Sequence, residues 1–247
     1  MTTMKAMLIE RYGKQQPLRL ADVPVPAIGE HEILAEIHAA SVNPVDFKIR
    51  DGKLKLLLHF DMPLILGNDF AGVVRAVGSK VQRFKVGDAV YGRPRKSNIG
   101  TFAQFIAAHE DDIAPKPANL SFEEAASVPL VGLTAYQALH DLMHLQAGQK
   151  ILIQAGAGGV GTFAIQLAKS MGAYVATTAG EAGAPLVQSL GADRIINYHL
   201  ENFAQVLHDY DAVLDTLGGE ALLQSFQVLK PGGMVVSVSG TRRYLEQ

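Results

Sequence analysis

The chain has 247 residues, 48% of them hydrophobic, and its 22 Lys and Arg against 24 Asp and Glu leave a net charge of -2. That length builds one large domain or two ordinary ones with substantial cores, and so even a charge balance recommends neither nucleic acid nor an anionic membrane as a partner. The chain has no cysteine, which excludes disulfides, thiolate catalysis and thiolate metal sites and agrees with a reducing cytoplasm, the expected location.

Residues 1–13 lack the apolar core of a signal peptide, and the most apolar later run, 54–66, is interrupted by Lys55, His59 and Asp61. Nothing is expected to export or anchor the chain. The N-terminal part reads as short β segments at 5–11, 18–23, 33–39, 73–77 and 89–91, and 101–107 continues the pattern. Pro24, Pro26, Gly29, Gly78, Gly87, Gly92 and Pro94 punctuate it as in a small antiparallel barrel or sandwich. Ala114-Pro115-Lys116-Pro117 reads as extended chain leaving this domain.

At Ser121 the texture changes, because Ser-Phe-Glu-Glu is a capping-box pattern with Glu124 three residues after the cap. A second helix follows on Leu133, Ala135, Tyr136, Leu139, Leu142 and Met143, ending before Ala147-Gly148. The domain boundary is expected near Val128, giving domains 1–128 and 129–247.

Residues 151–161 read as a buried strand turning directly into a helix. Gly156, Gly158 and Gly161 have the G-x-G-x-x-G spacing of a dinucleotide-binding turn, with Gly159 and Val160 inside it. Gly156 permits the tight turn, Gly158 lets backbone approach a pyrophosphate, and Gly161 lets the helix pack close to the strand. The helix N-terminus would offer unpaired N–H groups to the phosphates. Val160, Phe163, Ala164, Leu167 and Met171 continue at helical spacing to a C-terminal Gly172, and a strand at 174–178 follows. The alternation continues with helix 185–190, strand 194–198, helix 201–207, strand 212–217, helix 220–229 and strand 234–239. Five strands with intervening helices make a doubly wound parallel sheet that binds ligands at its strand C-terminal ends.

Of the histidines, only His140 and His144 stand four apart on a helix. Two imidazoles without a third ligand make a poor metal site, and a solvated face is the reading.

The stretches Ser41-Val-Asn-Pro-Val-Asp46, Gly67-Asn-Asp-Phe-Ala-Gly72, Val86-Gly-Asp-Ala-Val-Tyr91, Leu133-Thr-Ala-Tyr136 and Ala155-Gly-Ala-Gly-Gly-Val-Gly161 together resemble the medium-chain dehydrogenase/reductase superfamily, in its zinc-free quinone oxidoreductase and enone reductase branch. The resemblance implies an α/β chain, a GroES-like β-rich domain followed by a Rossmann domain, with nicotinamide held in the cleft between them. It also implies a homodimer. In the superfamily's zinc alcohol dehydrogenases a cysteine stands at the position of Asn43 and a histidine at that of Asn68. Catalytic zinc needs three good protein ligands, so no metal is expected here.

The implied activity is NADPH-dependent transfer of a hydride to a small-molecule quinone or α,β-unsaturated carbonyl. Asn43 and Asp46 would position cofactor and substrate, the alternative being a turn held by Asn-Pro and an Asx hydrogen bond. Tyr91 would donate to a substrate carbonyl, the alternative being an interior packing role, and Lys48 reads as a solvated charge. Thr134 would contact the nicotinamide region, unless its hydroxyl bonds its own helix backbone. Leu217, Gly218, Ser239 and Gly240, at the ends of the last two strands, would line the cofactor.

An acidic residue at the end of the second strand would bond the adenosine ribose of NAD, but Thr177, Thr178, Ala179 and Gly180 stand there. Tyr198 resembles the tyrosine that contacts the 2′-phosphate in NADP-dependent relatives. NADP is therefore expected, although Glu181 is close and no Lys or Arg occurs from Ser170 to Asp193. The family chain normally continues beyond Gln247. If the 247 residues are the whole, the cleft loses a wall, a sheet edge is open, and the alternative is a cofactor-binding protein or fragment without efficient catalysis.

Overall fold

The structure is a computed structural model and describes residues 2–239. The chain divides into two compact units, the first running to Leu130 and the second beginning at Val131.

The first unit contains strands β1 (Thr3–Ile9), β2 (Arg19–Pro24), β3 (Glu32–Ser41), β4 (Leu64–Ile65), β5 (Asp69–Val77), β6 (Ala89–Gly92), β7 (Phe105–His109) and β8 (Ile113–Pro115), with helices α1 (Pro44–Arg50) and α2 (Phe122–Ala126). The expected antiparallel character is present. One sheet has the order β2-β1-β4 and the other β7-β3-β5-β6-β8. Alternation decides the core face: Ile33 and Ala35 of β3 point inward with Phe70, Val74, Val90 and Ile106.

Residues 114–117, expected as chain leaving the domain, instead contribute to β8, where Ala114 and Pro115 pair with Tyr91 and Val90. The helix α1 was not expected at all. Asn43 is its N-cap, Pro44 opens it with a preset φ, and the Asp46 carboxylate accepts from the Asn43 N–H at 2.7 Å. The capping box at Ser121 forms as expected, with Glu124 N donating to Ser121 Oγ at 3.1 Å and Ser121 N to Glu124 Oε2 at 2.8 Å.

Helix α3 (Pro129–Tyr136) continues as one π-helical stretch, Gln137–Leu142. Helix ends there, so His144, with φ 49°, lies beyond it. The expected shared helical face of His140 and His144 is thereby lost; His140 pairs with Asp141 at 2.7 Å and stacks on Tyr136.

The second unit alternates β9 (Lys150–Ile153), α4 (Gly159–Ser170), β10 (Tyr174–Ala179), α5 (Ala184–Ser189), β11 (Arg194–Asn197), α6 (Phe203–Val206), β12 (Tyr210–Asp215), α7 (Gly219–Ser225) and β13 (Leu229–Ser237). All five strands are parallel, in the order β11-β10-β9-β12-β13. The chain steps outward from β9 to β11, then crosses back to β12, which makes the β9/β12 edge a topological switch point. Ile151 and Ile153 pack under α4 with Ala164, Ile165 and Ala168, while Leu152 faces Phe203, Leu207 and Val213 on the other side. Burial on both faces is why β9 reads as an unbroken apolar run.

The helix expected over 201–207 is a single turn, capped by the Asn202 side chain and stopped at Leu207, which is extended. The turn expected at 231–233 lies inside β13 as an irregularity between Leu229 and Met234. Among the described residues, no helix is long and apolar enough to cross a membrane.

Candidate functional site

Two polar constructions stand out, one in each unit. In the second unit, β9 ends at Ile153 and the backbone turns sharply through Ala155, whose φ is 49°. Thr178, at the end of β10, fastens this turn: its Oγ1 accepts from Ala155 N at 2.9 Å and its carbonyl accepts from Gly156 N at 2.9 Å. The first helical hydrogen bond of α4 is Thr162 N to Gly158 O, so the amides of Gly159, Val160 and Gly161 have no acceptor within the helix.

The glycines differ in what surrounds them. A Cβ on Gly156 would stand 2.0 Å from Thr177 Oγ1, and one on Gly161 would stand 2.4 Å from Ala155 O. Strand and helix could not approach as they do with side chains there. A Cβ on Gly158 would meet only Ala155 O, at 3.2 Å. Its face is otherwise open, the property a phosphate group needs in order to reach the backbone.

Two cavities flank this turn at the strand C-terminal edge. One, of about 670 Å³, is lined by Ala157, Gly180, Glu181, Gly183, Tyr198 and His199. The other, of about 570 Å³, is lined by Gln154, Thr178, Tyr198, Phe203, Leu217 and Glu220, among others. Tyr198 borders both, 58% exposed, with its ring 4.3 Å from that of His199. His199 was assigned nothing from the sequence, because a lone His-Leu pair after a strand carries no spacing signal.

Of the other residues expected here, Gly218 gives its N–H to Asp215 Oδ1 at 2.9 Å, and Leu217 N does so at 3.0 Å. Ser239 Oγ lies 2.9 Å from Ser237 Oγ, and Ser237 donates to Asp215 at 2.6 Å. Sequence reasoning missed Asp215, the fully buried acceptor that organises this loop and ties β12 to β13; an acidic residue ending an apolar strand was the signal. Thr134 lies partly buried on α3. Gly240 lies outside the described residues.

In the first unit, Ser41 and Asp69 are register partners at the end of the β3–β5 ladder, and Asn43 follows on the loop into α1. Asn43 Nδ2 donates to Ser41 Oγ at 2.9 Å and to Asp69 Oδ2 at 2.8 Å, while Ser41 Oγ donates to the same oxygen at 2.7 Å. Asn68 Nδ2 donates to Asp46 Oδ1 at 2.7 Å. Asn43, Asp46, Asn68 and Asp69 are all buried.

Burial pushes the Asp46 carboxyl up, against the pull of the Asn43 amide, the Asn68 side chain, the Gly67 amide and Arg93. It pushes Asp69 up to about 6, against Ser41, Asn43, the Leu130 amide and Arg93. The structure thus brings Asn43 and Asp46 together, and adds Ser41, Asn68 and Asp69 to them. With both oxygens bonded inside the fold, Asp46 shapes the site rather than offering a free carboxylate. Tyr91 stands on β6 and packs with the alanine cluster of Ala71, Ala125 and Ala126. Among the described residues no three His, Asp or Glu converge as a metal site.

Two family models match the chain: Alcohol dehydrogenase GroES-like domain over residues 29–118, and Zinc-binding dehydrogenase over residues 159–246. The chain is similar to a 2-methylene-furan-3-one reductase of Solanum lycopersicum, at 42% identity over 96% of this chain and 62% of that protein. It is similar to a chloroplastic NADPH-dependent alkenal/one oxidoreductase of Arabidopsis thaliana, at 39% identity over 96% of this chain and 63% of that one. Among solved structures, a quinone oxidoreductase from Coxiella burnetii matches with a TM-score of 0.87 and 41% identity, covering 96% of this chain and 75% of that one. The chain thus spans under two thirds of the length of both curated relatives.

Proposed function

The chain belongs to the medium-chain dehydrogenase/reductase superfamily, in its quinone oxidoreductase and enone reductase branch, and on that premise we propose that it is a zinc-independent, NADPH-dependent reductase of quinones or α,β-unsaturated carbonyls. The observation that carries the reading is the glycine turn at the switch point of the parallel sheet. Its open Gly158 face and the unpaired amides of Gly159, Val160 and Gly161 fit a dinucleotide pyrophosphate. When bound, the nicotinamide supplies the hydride, and solvent supplies the proton that completes the reduced product.

The chain's own residues bind and orient. The turn fixes the phosphates, Tyr198 faces the adenosine end, and the Asn43–Asp46 cluster, carried over from the family resemblance, positions the reacting half. Tyr91 and Thr134 are proposed contacts on the same ground. Holding reactants in one geometry is the main service such a protein performs, since no strong base is needed. The assembly we propose is a homodimer, by the same resemblance.

NADP rather than NAD is supported by the end of β10, where Thr178-Ala179-Gly180 carries no carboxylate to claim the ribose hydroxyls. The printed name of the Arabidopsis relative points the same way. Zinc independence is supported by the donor set. The chain has no cysteine, and Asn43 and Asn68 give their amide hydrogens to buried carboxylates, leaving no three strong ligands. Stoichiometric zinc in the purified protein would overturn that part.

The test is NADPH oxidation with a small quinone and a small enone, run beside NADH and an enzyme-free blank. Turnover with NADPH well above NADH is the expected result. No turnover above blank in a folded preparation overturns the reductase reading for this chain. It would favour the second reading, cofactor binding without efficient catalysis, which the partial coverage of the relatives motivates.

A further inference from the structure

Gln154 follows β9 directly and is fully buried. Its N–H donates to Leu214 O at 3.0 Å, its carbonyl accepts from Thr216 Oγ1 at 3.1 Å, and its Nε2 donates to Ala221 O at 3.2 Å and to Ser225 Oγ at 2.7 Å. Ser225 spends its own hydrogen on Ala221 O at 2.7 Å, so toward Gln154 it acts as an acceptor. Reversing the carboxamide would set Oε1 against the Ala221 carbonyl, and one orientation survives. In it Oε1 is buried without a hydrogen-bond partner. An enclosed acceptor in that state carries a desolvation cost that a bound donor would remove.

Gln154 also lines the cavity of about 570 Å³ beside the glycine turn. Phe203 and Leu217 supply apolar wall, and Tyr198 joins this cavity to its neighbour. The carboxylates of Glu201 and Glu220 line it as well, and among the described residues no Lys or Arg does. Carboxylates repel phosphate, so the part of a nucleotide suited to this cavity is the uncharged one, a flat base between apolar walls.

We propose that this cavity takes the adenine base of the cofactor and that Gln154 is a specificity-determining residue, its Oε1 accepting from the exocyclic amine. The inference rests on the cofactor reading above and adds which base that cofactor must carry. The unsubstituted ring nitrogens of adenine are acceptors, so the amine is the donor on the base that can meet an oxygen. Hypoxanthine presents a carbonyl oxygen at the same place, and two acceptors do not bond.

The test compares NADPH with its deamino analogue, which carries hypoxanthine in place of adenine, on the full chain and on its variants Gln154→Leu and Gln154→Met. Both substitutions roughly keep the side-chain volume and leave Ser225 bonded to Ala221 O. Affinity is read from the fluorescence of the reduced nicotinamide, which the two dinucleotides share, so no turnover is needed. The wild type should bind NADPH about tenfold more tightly than the analogue. In each variant NADPH should weaken about tenfold, the analogue should change little, and the preference should vanish. Equal affinities in the wild type, the result if water alone satisfies Oε1, overturn the assignment and leave the cofactor reading intact. A preference that persists in a folded Gln154 variant overturns it too. A folded wild type that binds neither dinucleotide overturns the cofactor reading and this assignment with it.

Discussion

Gly158 and Gly161 have different tasks, approach of a phosphate and close helix packing, and the atoms around them predict different failures. At Gly161 an added methyl meets the Ala155 carbonyl at 2.4 Å and the Gly156 backbone at 2.7 Å, neither of which can swing away. Gly161→Ala should therefore lose about 1–3 kcal/mol of stability, seen as a lower urea midpoint. At Gly158 the backbone is ordinary, φ -83°, and an added methyl meets only Ala155 O, at 3.2 Å, so Gly158→Ala should cost less stability than Gly161→Ala and weaken NADPH binding instead. At the proposed adenosine end, the cavity lined by Tyr198 is also lined by Glu181 and His199 and by no Lys or Arg among the described residues. A carboxylate facing a 2′-phosphate costs affinity, by roughly 1 kcal/mol for exposed charges. Glu181→Gln should raise the NADPH-over-NADH preference about fivefold at low salt, and the gain should shrink as salt screens it. An unchanged ratio would remove Glu181 from the specificity argument.

Among elements, the strands and helices with a clear period were the legible ones. β9 with its apolar run, and α4 with its stripe and closing Gly172 at φ 80°, follow directly from side-chain spacing. Short elements resisted. α1 has seven residues and starts on Asn-Pro, which read as a turn, yet Asn43, Pro44 and Asp46 form the N-terminal signals of a helix. The loop after β12 shows what local pattern omits. Asp215 accepts from Leu217 N, Gly218 N and Ser237 Oγ, so Asp215→Ala would orphan donors from two elements at once. A loss of about 1–3 kcal/mol is expected, with faster hydrogen exchange at the Gly218 amide. Wild-type exchange at that amide would contradict the role.

Across the whole molecule, the cluster that orders Asn43 is also a source of instability. The Asp69 carboxyl rises from 3.8 to about 6 on folding, so between those values the folded state holds a proton the unfolded chain has released. Stability from this group falls as pH rises through that window, by on the order of 3 kcal/mol. The opposite sign belongs to Asp51, held low by the hydrogen bond from Arg50, and to Glu110, held low by the Gln82 amide; their contributions are lost in acid. Asp69→Asn should therefore gain stability relative to wild type as pH rises from about 4 to 7, which urea midpoints at both ends would detect. The amino-acid order by itself determined the two halves of the chain, the parallel sheet and the position of the glycine turn, because periodicity and glycine spacing are local properties. Tertiary structure alone decided that Ser41, Asn43 and Asp69 converge and that Asp215 spans two strands. Those facts depend on which residues strand pairing brings opposite one another, and no window along the chain contains both partners.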